Sequence, residues 1–210
     1  MRRFKFWPQL ALVGALAVAN GGCVLIPELK ERAVELAIAG TTSQDFTVQS
    51  DNTSFDAVNA NIDLSTDLDL AQALSDAGID VSKVGKIALS GISYRIKRAD
   101  ANAAQSITGG TITIQRLAGH PSPVTNLVTG FTGSAGVTST KFTDVPLDAN
   151  GVAVVNQLLD DIKAALPGAL STGAMTIHLA GGTTVTKPDF DVEVKLTISI
   201  TGTVTVKVPT

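Results

Sequence analysis

Residues 188–210 read PDFDVEVKLTISITGTVTVKVPT. From 190 to 208 every even position is apolar except Gly202, and every odd position is Asp, Glu, Lys, Ser or Thr. A period of two with β-branched side chains on both faces reads as a strand that is dry on one side and wet on the other. At ~3.3 Å per residue the stretch would extend about 60 Å, longer than an ordinary strand, so a bend is expected, with Gly202 as the corner. Burying Val192, Val194, Leu196, Ile198 and Ile200 contributes roughly 1.5–3 kcal/mol each before conformational entropy is counted. This ribbon is core, and the rest of the chain must supply its cover.

Working back from it, DANGVAVVNQLLDDIKAALPG places Val152, Val155, Leu158, Leu159, Ile162, Ala165 and Leu166 on one helical face. Asp148 or Asn150 can cap that helix, and Pro167-Gly168 can end it. A shorter helix is expected at about 69–77, with Leu70, Ala73, Leu74 and Ala77 on one side and Gly78 as its left-handed closing residue. In KIALSGISYRIKR the apolar parity slips between Leu89 and Ile92, which predicts a bulge at Ser90-Gly91. Further strands are expected at 34–38, 46–50, 55–64, 109–116 and 175–180. Edge strands are expected around 124–131 and 137–142, with turns at 50–54 and at Gly181-Gly182. At 34–38 a helix opened by Pro27 and closed by Gly40 competes with the strand. The polar stretch 98–110 is read as loop. The fold class is mainly β, an antiparallel β-sandwich with one prominent helix at about 148–166 and a shorter one at about 69–77.

The N-terminus has a different composition. MRRFKFWPQLALVGALAVANGGC begins with Arg2, Arg3 and Lys5, continues with an apolar stretch too short to span a ~30 Å hydrocarbon core, and ends in small residues. Cleavage after Ala17-Val18-Ala19 would release a soluble chain starting at Asn20. Alternatively Asn20-Gly21-Gly22-Cys23 resembles the lipobox of bacterial lipoproteins, with Asn20 where that family usually has an aliphatic residue. Cys23 is the only cysteine, and a lone thiol in an oxidising compartment favours lipid attachment over a structural role. The resemblance, which covers only the leader, implies an export signal at 1–22 and a lipid-anchored tether at 23–30; the strand pattern then makes 31–210 one β-sandwich domain. The resemblance further implies a membrane partner reached through the anchor. Val24 after the cysteine, rather than Asp, is consistent with the outer membrane.

Composition narrows the function classes. Aromatic residues are 4% of the chain and Trp7 lies in the leader, so stacking platforms for bases or sugars are scarce. The net charge of −3 falls to about −6 when the three leader cations are removed, the wrong sign for a phosphate backbone. Nucleic acid is therefore not an expected partner. Asp63, Asp67 and Asp69 could offer oxygens to calcium at a strand-to-helix corner, but the EF-hand glycine and terminal Glu are missing and Asp also caps helices. Asp189, Asp191 and Glu193 alternate on the wet face of the ribbon, where like charges serve solubility and edge protection. His120 and His178 are the only histidines, lie far apart and have no cysteine partners, so zinc is not expected. Gly133-Ser134-Ala135-Gly136 fails the spacing of a nucleophile elbow, and there is no P-loop or dinucleotide fingerprint.

No cofactor is expected. The reading is a non-catalytic structural or interaction module of the cell envelope that binds another envelope protein. The alternative is a carrier of an apolar ligand between sheet and helix. The many short strands resemble immunoglobulin-like sandwiches in architecture only, because the Cys…Trp…Cys core is missing.

Overall fold

The computed structural model describes residues 30–68, 70–117, 121–166 and 173–208. The chain packs as two units. Glu35–Val204 forms one, and Met1–Val34 with Thr205–Thr210 forms the other. Within the described residues of the second unit lie only the first residues of one strand and the last of another.

Among the described residues, eight strands make two four-stranded sheets. They are β1 (Lys30–Gln49), β2 (Ser54–Asp63), β3 (Val84–Arg98), β4 (Ser106–Arg116), β5 (Thr125–Ser134), β6 (Thr143–Asp144), β7 (Ala174–Thr183) and β8 (Asp189–Val208). One sheet runs β1-β8-β3-β6 and the other β2-β7-β4-β5. The neighbours β1 and β8, β2 and β7, β3 and β6, and β4 and β5 form a nested series. The chain is thus one long hairpin rolled up so that its pairs alternate between sheets, the double Greek key of a jelly roll. The mainly β, antiparallel sandwich read from the sequence is what the chain forms.

β8 sits between β1 and β3 and runs unbroken through Gly202, which pairs with Val84 where the register of β3 shifts. The strand continues past the expected corner to Val208, and β3 pairs with it from Asp191 to Gly202. Phe190, Val192, Val194, Leu196, Ile198 and Ile200 are all buried. They meet the inward side chains of β7 and β4, including Ile177, Leu179, Ile112 and Ile114, in one continuous cluster. Two aromatic pairs span the sheets: Phe55 of β2 meets Phe190 edge-on at 6.1 Å, and Tyr94 of β3 lies 5.0 Å from Phe131 of β5. The predicted bulge is present, with the β3–β8 register shifting between Leu89 and Gly91.

Other expectations are corrected. Residues 34–38 and 46–50 belong to one strand, because β1 continues through Gly40 along the length of β8. Gly181-Gly182 is no turn; both residues pair within the sheet, with Phe55 and Ser54. Residues 137–142 do not form a strand. They run beside β3 with isolated bonds such as Ser139 N–H to Ile96 O at 2.9 Å, and only Thr143 and Asp144 pair regularly. A separate turn, α1 (Leu64–Asp67), stands where the strand 55–64 was expected to end, and the short helix expected at about 69–77 forms as α2 (Leu70–Asp76), followed by Gly78 at φ 67.

α3 (Ala149–Ala165) closes the side of the sandwich that the two-residue β6 leaves open, packing on β3, β4 and β5. Asp148 caps it, accepting from Asn150 N at 2.8 Å, while its own N–H donates to Leu127 O. The helix also completes the edge of β3. Asn156 Oδ1 accepts from Leu89 N at 2.8 Å, and Lys163 Nζ donates to Gly85 O at 2.6 Å. Side chains here replace a missing strand. Buried Gly151 lets the helix approach β5 so closely that a Cβ there would lie 2.3 Å from Asn126 O. Alanine is a better helix former than glycine by about 1 kcal/mol, but backbone offers no room to yield. Gly151→Ala is therefore expected to lower stability by about 1–3 kcal/mol, read as a lower midpoint with an unchanged slope in urea unfolding.

Candidate functional site

Strand directions sort the connections between two ends of the sandwich. β1 leaves Glu35 and reaches Gln49 about 45 Å away at the ordinary strand rise. At that far end lie all four connections 50–53, 99–105, 135–142 and 184–188. α1, α2 and the link from β4 to β5 lie at the end where the unit begins.

The four-connection end is held by buried polar chemistry. Gln105 is 1% exposed. Its Nε2 donates to Val185 O at 3.0 Å and its Oε1 accepts from Val185 N at 3.0 Å, a two-point bond of the kind a strand neighbour makes. Its backbone carbonyl accepts from both Ala135 N and Gly136 N, at 2.8 and 3.0 Å. One residue therefore ties three connections together. Asp100 adds a further bond, accepting from Asp189 N at 2.8 Å, and Thr183 N donates to Thr53 O at 2.7 Å.

Arg98 anchors the same end from the outer face of the first sheet. Its Nη2 meets Asp189 Oδ1 at 2.7 Å, its Nε meets Asp191 Oδ2 at 3.0 Å, and its Nη1 donates to Asp189 O at 3.0 Å. Gln49 Nε2 also donates to Asp189 at 3.0 Å. The hydrogen bonds from Arg98, with a smaller one from Gln49, hold the Asp189 carboxyl below the usual carboxylate range. Those from Arg98 do the same for Asp191 against the opposing effect of burial. The ladder continues along the face with Arg95 to Glu193 at 2.6 Å and Lys97 to Asp45 at 2.7 Å. Asp189, Asp191 and Glu193 are thus cross-strand partners within an internal strand, not protectors of an edge. Phe142 covers the ladder, with Lys195 and Arg95 at 4.1 and 4.8 Å from its ring centre.

Between β1 and β8 at this end lies a concavity of about 360 Å3 lined by Gln49, Ser50, Asp51, Lys187, Pro188 and Asp189. Lys187 adopts φ 57, an uncommon backbone state for a residue with a side chain. The surface offers mixed charge and amide groups on a stiff frame, suited to a polar partner rather than an acyl chain.

The other candidates fall elsewhere. Cys23, Asp69 and His120 lie outside the described residues. Asp63 caps α1, accepting from Ser65 N at 3.0 Å and from the Ser65 hydroxyl, while Asp67 Oδ2 accepts from Asp63 N at 3.2 Å. Both carboxylates thus serve a reciprocal cap, and burial pushes the Asp67 carboxyl up. Among the described residues no group of three or more His, Cys, Asp or Glu could hold a metal ion. His178 stands on the outer face of β7, half-buried, against Asp56. Arg116, the last inward position of β4, is 1% exposed and pairs with Asp161 of α3. Among the described residues its Nε and Nη1 have no hydrogen-bond partner.

Sequence reading passed over Gln105 and Arg116. Strand parity from Ile112 and Ile114 points Arg116 inward and could have found it. Gln105 gives no such signal, since a lone polar residue in a polar loop looks solvated.

No family model matches the chain, and no curated protein matches it. Among solved structures it is similar to a chain described as Desmodium yellow mottle tymovirus, at 12% identity and TM-score 0.33 over 100% of both chains. It is also similar to a chain of the infectious bursal disease virus Gx strain, at 10% identity and TM-score 0.23, over 92% of this chain and 43% of that one. At these values neither likeness carries an inference.

Two outcomes test the loop end. Gln105→Leu removes the acceptor of the Val185 N–H, while Thr183 Oγ1 still donates to Val185 O at 3.0 Å, and is expected to cost about 1–3 kcal/mol, measured by urea unfolding. Asp189 and Asp191 have folded pKa values below their unfolded ones. The stability they contribute is present above about pH 4 and is lost as pH falls through the depressed values. Arg98→Met is expected to lower Tm by roughly 2–4 °C at pH 7. It should also flatten the decline of Tm between about pH 5 and pH 2, where the wild type should fall more steeply.

Proposed function

We propose that this is an exported, lipid-anchored and non-catalytic interaction module of the cell envelope, presenting its four-connection end to a polar surface of another envelope component. The supporting observation is the placement of that end. The chain enters the large unit at Glu35, and the loops tied by Gln105 and Arg98 lie at the opposite end of β1. An anchor on Cys23 would hold the entry end toward the bilayer and direct the tied loops away from it. Pre-organised loops lose little entropy on binding, which suits them to recognition. The carrier alternative asks for a gap between sheet and helix, whereas Val155, Leu158, Leu159 and Ile162 of α3 are buried in the cluster they share with the sheets.

The anchor is tested by intact-mass spectrometry of the protein purified from its own membranes. The expected species begins at Cys23 and carries the added mass of a diacylglycerol. A chain beginning at Asn20 with an unmodified thiol would overturn the anchoring. Orientation is tested separately with Lys187→Cys and Thr125→Cys in intact membranes. A bulky maleimide is expected to label position 187 several-fold faster than position 125, and equal rates would count against the outward-facing loop end.

A further inference from the structure

Each sheet has two edges, and three of the four are blunted. β6 is two residues long, and α3 and the chain around 139–145 complete the rest of the β3 edge. β2 carries a register shift between Ala57 and Ala60. β5 has repeated register shifts, Gly130 at φ 71, and a bond from Asp148 N to Leu127 O. Such irregularities are how sheets avoid pairing with one another.

β1 is different. It is 20 residues long and stands at the edge with β8 on one side. Side chains on it bond back into its own sheet, as Ser43 does to Glu193 and Gln49 to Asp189. Residues 36–44, LAIAGTTSQ, contain no charge and no proline. Leu36 and Ile38 continue the inward series of Phe46 and Val48, yet they are only half-buried where the latter are 2% and 0% exposed. The outward positions Ala37 and Ala39 are small.

The geometry points to a twofold pairing of β1 with β1 of a second copy of this chain, centred on Ala37. An antiparallel pair with Ala37 opposite itself sets Leu36 against Ile38 of the copy on the inner face, twice over. On the outer face it sets Glu35 against Ala39. A centre three residues further along, at Gly40, would oppose Glu35 to Asp45 and is disfavoured by like charge. The Ala37 register gives the isologous contact that closes at two chains. It joins the two β1-β8-β3-β6 sheets into one and covers the half-exposed leucine and isoleucine. The inference rests on the fold alone and holds whether or not Cys23 is acylated.

The test uses the full-length protein in detergent. Wild type is expected to sediment as a dimer at micromolar concentration and Ala37→Lys as a monomer with unchanged circular dichroism. Oxidation of Ala37→Cys is expected to trap a disulfide dimer, since directly opposed Cβ atoms lie about 4.5–5.5 Å apart. Thr41→Cys, displaced from its copy by about 26 Å in this register, should give no more dimer than wild type, whose only cysteine is Cys23. A monomeric wild type, a dimer indifferent to Ala37→Lys, or equal trapping at 37 and 41 would each overturn the pairing.

Discussion

The structure depends on the double pairing of β8. It lies between β1, from the start of the chain, and β3, from its middle, which pairs with it from Asp191 to Gly202. Because side chains alternate, a slip of one residue on either side would turn six apolar side chains out of the core. The register shift between Leu89 and Gly91 belongs to this constraint. It realigns β3 so that Ile92, Tyr94 and Ile96 face inward together with Val192, Val194 and Leu196. Contacts so distant in sequence form late and at high entropic cost, which places this chain among slow folders.

Once β8 is fixed, its first residue carries the constraint to the loops. Asp189 receives Arg98 from β3, Gln49 from β1 and its own N–H bond to Asp100. Gln105 then ties 184–188 to 135–136. The sheet end and the loop end are therefore one mechanical unit, with hydrophobic burial supplying most of the energy and polar bonds supplying the geometry. The exposed ion pairs along the face contribute little individually; their consistent pairing favours the native register over its neighbours.

Much of this was legible in the residues. The alternation of 190–208 identified the core strand, the parity slip identified the bulge, and the spacing from Val152 to Leu166 identified α3. What could not be read was anything decided by a distant neighbour. Gly202 and Gly181-Gly182 look like breaks but sit within pairing, because long partners lie beside them. Residues 137–142 alternate like a strand but are held by isolated bonds and by Phe142 under two cations. Of the candidate site, Asp63 and Asp67 were placed correctly at a strand-to-helix corner, where capping occupies both. Gln105 was invisible because its burial is created by four connections that meet only in the fold.

Native-state hydrogen exchange of the β8 amides tests the central claim most directly. With β8 paired on both sides, amides from Val192 to Ile200 should exchange only through global unfolding, with protection matching that of Ile92–Ile96 in β3. Exchange of that segment at rates of an unstructured chain, or protection clearly below that of β3, would contradict a sandwich built around it.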